Sequence, residues 1–83
     1  MRRGGASKRR DLTEPAIIDA LQQVGAFVRQ CHGDGAPDLI VKLRGIWMPI
    51  ECKSKGGRVQ ANQTMYPVAR TPEDALALFG VRL

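Results

Sequence analysis

Two apolar-rich runs whose charged residues all fall on one face, Asp38 to Leu43 and Ile46 to Lys53, flank the dipeptide Arg44-Gly45. Period-two patterning on both sides of a short glycine-containing break predicts a β-hairpin. The break also sets the register. With Arg44-Gly45 as the loop, Leu43 pairs with Ile46, and pairing steps outward until Asp38 lands opposite Glu51. Counted from the loop, that last pair is of the non-hydrogen-bonded kind, with Cα atoms roughly 4.5 Å apart. A longer loop closed by Lys42 and Trp47 gives the same pairing, whereas a three-residue loop shifts it by one. Leu39, Val41, Leu43, Ile46, Met48, Ile50 and Cys52 then share a wholly apolar face that should meet a helix. The opposite face carries Asp38, Ile40, Lys42, Trp47, Pro49, Glu51 and Lys53. Pro49 has no N–H to give, so an edge or a bulge is expected on its outer side.

Two carboxylates directly opposite on a sheet repel each other, and a divalent cation between them relieves the repulsion. Oxygen donors at that spacing suit Mg²⁺ or Mn²⁺. Asp38 and Glu51 are the expected direct ligands, with the Cys52 backbone carbonyl completing the protein's share. Lys53 projects on the same face as Glu51, where an ammonium can orient a water or stabilise charge developing on a phosphate. The bland alternative is a solvated Glu–Lys pair on an exposed strand. Trp47, near the turn, is expected to be a partly buried strand aromatic rather than a base-stacking one.

Elsewhere, Asp11 to Thr13 supplies caps for a first helix, with Pro15 in its first turn and Glu14 suited to the positive helix end. Leu12, Ala16, Ile17, Ala20, Leu21 and Val24 recur at helical spacing and predict one buried side. Gly25 is the expected C′ residue. A short strand is predicted over Ala26 to Cys31, and a breaker-rich loop over His32-Gly33-Asp34-Gly35-Ala36-Pro37. A Gly-rich loop follows over Ser54 to Arg58, then a helical turn over Gln60 to Thr64 and a last strand over Met65 to Ala69. Thr71-Pro72-Glu73-Asp74 opens a final helix that runs to Phe79 and stops at Gly80.

The chain has 83 residues, with 13 Lys+Arg against 8 Asp+Glu and a net charge of +5. That is one small domain, for which dimerisation would help stability. Residues 1–10 hold Arg2, Arg3, Lys8, Arg9 and Arg10 and no acid, a pattern expected of a flexible arm that neutralises phosphates; residues 11–83 form the folded domain. No apolar run approaches the ~18 residues of a membrane span, and the basic start is not followed by the apolar stretch of a signal peptide. Cys31 and Cys52 form no C-x-x-C pair, so a reduced, cytoplasmic setting is expected, with Cys52 packed as a small hydrophobe.

Gly35-Ala36-Pro37-Asp38-Leu39-Ile40-Val41, followed by Ile50-Glu51-Cys52-Lys53-Ser54-Lys55-Gly56-Gly57-Arg58-Val59 and Gln63, resembles the PD-(D/E)XK nuclease superfamily. Within it the chain resembles the virus-type replication-repair nuclease (VRR-NUC) domain in its stand-alone phage or bacterial form. The similarity runs from about Glu14 to about Gln63, with a continuation in Val68 to Leu78. It implies an α/β, restriction-endonuclease-like core: a helix, a three-stranded antiparallel meander, a short helix, a further strand and a C-terminal helix. It also implies an acid on the first helix, Glu14, as a further candidate ligand. Asp38 and Glu51 would bind metal, Lys53 would be catalytic, and Gln63 would support the site. The family carries a longer helix between the glutamine and the last strand, whereas here Gln63 is followed almost at once by Met65-Tyr66-Pro67-Val68.

The expected activity is Mg²⁺- or Mn²⁺-dependent hydrolysis of DNA phosphodiesters. The resemblance adds branched substrates such as four-way junctions, a homodimer, and a role in DNA repair in a bacterial or phage-infected cell. Arg9, Arg10, Lys55 and Arg58 are the candidate DNA-backbone contacts, and His32 is a further candidate beside Asp38. A DNA-binding module or nuclease subunit without activity of its own is the alternative. A His32-centred ββα nuclease is a third possibility.

Overall fold

The computed structural model describes residues 13–54 and 65–82. The elements are α1 (Thr13–Gln23), β1 (Phe27–Gln30), β2 (Leu39–Leu43), β3 (Ile46–Cys52), β4 (Val68–Ala69) and α2 (Pro72–Leu78). They build a small α/β fold around a four-stranded mixed sheet of order β1-β2-β3-β4. The first three strands form an antiparallel meander, and β4 joins β3 in parallel. The basic arm, the Gly-rich loop from Lys55 onward and the helical turn expected over Gln60 to Thr64 lie outside the described residues.

The hairpin has the expected register from Leu43↔Ile46 through Leu39↔Ile50. Arg44 and Gly45 both have positive φ, 57° and 78°, the requirement of a type I′ loop, whose twist matches that of the flanking strands. A non-glycine residue there costs roughly 1 kcal/mol or more unless its side chain tolerates the left-handed region, as Asn does. Because the Arg44 side chain is exposed, Arg44→Asn should stabilise the protein by about 0.5–1 kcal/mol. That corresponds to a melting temperature higher by roughly 2–8 °C for a domain of this size. Calorimetry showing a lower melting temperature would mean that the arginine makes contacts outweighing its backbone strain.

Both helices end in a Schellman motif. At the end of α1, Gly25 N–H donates to Gln22 O at 3.0 Å and Ala26 N–H to Leu21 O at 3.0 Å. This pattern needs a left-handed C′ residue, and Gly25 has φ 90°. Gly80 and Val81 close α2 in the same way on Ala77 and Leu76. At its start, Thr71 Oγ1 accepts from Asp74 N–H at 3.0 Å, while the Asp74 carboxylate accepts from Arg70 N–H at 3.0 Å. The expected cap is therefore present and reciprocal, one residue wider than the usual capping box.

Ile17 and Leu21 of α1, and Ala75, Leu76 and Phe79 at α2, pack with Leu39, Val41, Leu43, Ile50, Cys52 and Ala69 of the sheet. One face of the sheet is thus covered. Several expectations narrow. In α1, Ala16 is exposed, and Val24 just beyond its end is 36% exposed, so the buried apolar stripe is Ile17 and Leu21 flanked by Ile18 and Ala20. The apolar hairpin face is not wholly covered, since Ile46 beside the turn is 48% exposed. The first strand is confined to Phe27–Gln30, and the last to Val68–Ala69, Met65 being exposed. Trp47, expected to be partly buried, is 57% exposed because both helices lie against the other face. No helix among the described residues is long and apolar enough to cross a membrane.

Candidate active site

The site lies at the end of the hairpin away from its turn, where three elements meet. β4 pairs with β3 only at Glu51 and Cys52. Glu51 N–H donates to Pro67 O at 2.8 Å and Lys53 N–H to Ala69 O at 3.1 Å. The outer edge of β3 therefore has no β4 partner at Pro49, as its missing N–H requires. Alternate residues of a strand turn their main-chain groups to opposite neighbours, so Cys52 faces β2. Its N–H donates to the Asp38 carboxylate at 2.8 Å, and its carbonyl points to the same side.

This contact corrects the expected cross-strand pair. The ladder ends at Leu39↔Ile50, and Asp38 lies just before β2 rather than within it. Its main-chain carbonyl still accepts from Cys31 N–H at 2.9 Å, which ties the start of β2 to the end of β1. Its carboxylate is held on the β3 backbone instead of standing across from Glu51. The two acids nonetheless sense each other: burial, then the Asp38 charge, raises the Glu51 pKa, while Lys53 pulls it back. Lys53 Nζ is 3.7 Å from Glu51 Oε2, with both side chains largely shielded, so the expected proximity of this acid and ammonium is present.

Glu14, in the first turn of α1, is 2% exposed. A buried carboxylate requires partners, and Gln30 Nε2 donates to its Oε2 at 2.9 Å. The helix N-terminus adds a favourable field. Ligand atoms of Glu14, Asp38 and Cys52 lie within 4.8 Å of one another. Asp38 is thus shared by two groups: it lies in the cluster with Glu14 and Cys52, and its charge acts on Glu51, which is paired with Lys53. The carboxylates and the Cys52 carbonyl are hard donors that fit Mg²⁺ or Mn²⁺, whereas the thiol belongs with softer ions.

Gln30 was not singled out in the sequence, yet it orients the buried acid. The available signal was its place on the helix-facing side of β1, two residues after Val28. His32 is exposed in the β1–β2 loop. That loop is tied to the segment before β4 by Tyr66 OH donating to Gly35 O at 2.6 Å. Gln63, Lys55, Arg58, Arg9 and Arg10 lie outside the described residues.

The direction of the Glu51 shift gives a pH prediction. The folded state holds this proton more tightly than the unfolded chain, so ionising Glu51 opposes folding. Stability contributed by the protonated form is lost as pH rises from about 4.5 through the raised folded value. Glu51→Gln should therefore raise the melting temperature at pH 7 in EDTA and leave it nearly unchanged at pH 3. A lower melting temperature at pH 7 would mean that the pair with Lys53 outweighs burial.

No protein-family model, curated protein or solved structure matches this chain.

Proposed function

We propose that this chain is a divalent-metal-dependent DNA endonuclease with a PD-(D/E)XK-type core, acting on branched DNA such as four-way junctions. The observation that carries the reading is the Asp38 carboxylate, fixed on the Cys52 N–H, with Glu14 on one side and Glu51 and Lys53 on the other. Asp38, Glu51 and the Cys52 carbonyl would hold Mg²⁺ or Mn²⁺, with Glu14 as a further ligand. When bound, such an ion polarises a phosphate oxygen and acidifies a water.

The protein's own groups divide the remaining work. Gln30 keeps the Glu14 carboxylate oriented. The Lys53 ammonium, held by Glu51, is placed to stabilise negative charge growing on the phosphate. Gln63 takes a supporting role, as the motif resemblance implies; Arg9 and Arg10 of the basic arm and Lys55 and Arg58 beside the Gly-rich loop would contact the DNA backbone, with His32 as a further contact. A symmetric dimer would present two such sites to the two strands of a junction.

The test is incubation of the full chain with a labelled four-way junction in Mn²⁺ or in EDTA, beside Lys53→Ala. Cleavage that needs Mn²⁺ and is lost in the variant supports the reading. Junction binding without cleavage by the unmutated chain replaces it with the inactive DNA-binding module, and cleavage lost only in His32→Ala replaces it with the histidine-centred nuclease.

A further inference from the structure

The uncovered face of the sheet has a feature that phosphodiester hydrolysis does not use. In the ladder, Phe27 is opposite Lys42, and Lys42 is opposite Trp47. These three side chains cross the sheet in one row, with Arg29 beside Phe27 on the same face. Phe27 and Trp47 meet edge to face with centroids 5.8 Å apart. Arg29 lies over the Phe27 ring at 5.8 Å and Lys42 over the Trp47 ring at 5.5 Å. Phe27 is 48% exposed and Trp47 57%. Two large rings in water are a loss for a monomer unless something covers them, and here each is accompanied by a cation.

We propose that this row binds a single-stranded stretch of DNA, a base stacking on Trp47 while Arg29 and Lys42 take flanking phosphates. The proposal rests on the DNA-directed reading above and extends it to the part of the substrate that is bound rather than cut. Three observations select this occupant. The segments 26–31 and 39–50, which build this part of the face, hold Arg29, Lys42 and Arg44 and no carboxylate, so the surface complements phosphate and would repel a second copy of itself. Aromatic rings interleaved with cations are the equipment of single-strand binding, because every base has a π-face and every nucleotide a charge. Third, Trp47 and Glu51 are on the same face of β3, separated by four strand residues or roughly 13 Å, so a strand leaving the rings runs toward the acids. Duplex DNA keeps its bases stacked internally and offers Trp47 nothing comparable. The face therefore favours substrates with unpaired bases at or beside the branch.

Trp47 is the one tryptophan in the chain, so its fluorescence reports this surface alone. Titration of the full chain in EDTA with an oligothymidylate should quench the emission saturably, and a blunt duplex should quench it far less. By anisotropy of a labelled oligothymidylate, Trp47→Ala should weaken binding by roughly 5- to 150-fold, the usual range for losing one stacked base. Trp47→Phe should recover a large part of the loss. Replacing both Arg29 and Lys42 by Gln should flatten the salt dependence by about 0.7 per lost phosphate contact.

Oligothymidylate affinity unchanged in Trp47→Ala, or no quenching on binding, would overturn the proposal. So would a change of oligomeric mass in Trp47→Ala by light scattering, which would assign the face to self-association. Quenching without Mn²⁺-dependent junction cleavage would remove the nuclease reading and leave this one standing. Cleavage without quenching would do the reverse.

Discussion

Asp38→Asn should reduce the proposed Mn²⁺-dependent junction cleavage by at least about a thousandfold while the protein stays folded. The asparagine keeps an oxygen that accepts from Cys52 N–H, so the backbone bond at the end of β3 survives. What disappears is the negative charge that Asp38 brings to the cluster formed with Glu14 and Cys52. If the proposed ion is held there, losing its share of transition-state stabilisation, several kcal/mol, would correspond to three or more decades in rate. Asp38→Ala should lose cleavage to the same degree and also some stability. It leaves the Cys52 N–H without its acceptor, at about 1–3 kcal/mol. Denaturant unfolding of the two variants separates these effects. Cleavage by Asp38→Asn within tenfold of the parent would remove Asp38 from the centre of the site.

Ile50→Ala has the largest expected effect on folding. Ile50 is fully buried, pairs with Leu39, and immediately precedes Glu51. Truncating a buried isoleucine costs about 2–5 kcal/mol, because the cavity closes only in part. At 0.05–0.15 kcal/mol per residue, the whole stability of a chain this long is about 4–12 kcal/mol. The variant should therefore melt roughly 10 °C or more below the parent, and its loosened β3 would misplace Glu51 and Lys53 together. Ile46→Ala, on the same strand but 48% exposed, should cost far less. Equal urea midpoints for the two variants would show that the core does not lie where Leu39, Ile50 and Ile17 place it.

These two sites also mark what the sequence makes legible. The hairpin is readable because a two-residue reversal and the confinement of Asp38, Lys42, Glu51 and Lys53 to one face both specify one register, and any slip would turn Leu39, Val41 and Ile50 outward. The final helix was readable because Thr71, Asp74 and Gly80 are local signals that act on their own backbone neighbours. The ladder reading failed one residue beyond Leu39, where the Asp38 side chain competes for a backbone donor. A short acid can satisfy a nearby N–H in place of a strand partner, and no alternation pattern registers that.

Burial was less legible than register. Period two says that Trp47 and Met48 face opposite ways, but which face is covered depends on where both helices pack. Trp47, Ile46 and Val24 are accordingly more exposed than their spacing predicts. Gln30 makes no pattern in the sequence because it ends a four-residue strand directly after Arg29, and its role exists only once Glu14 of α1 is brought above it. From its own position Glu14 reads as a dipole-favourable residue in a first helical turn, and its role as a ligand rests on the motif resemblance. Its depth, at 2% exposed, comes from the packing of α1 on the sheet.

Metal uptake by the folded chain is the most direct test of the whole account. In a calorimetric titration with Mn²⁺, the parent protein should bind saturably, more tightly as pH rises and Glu51 ionises, and His32→Ala should bind as the parent does. Asp38→Asn should lose the heat signal. No uptake by a parent chain that circular dichroism shows to be folded, or undiminished uptake by Asp38→Asn, would contradict it.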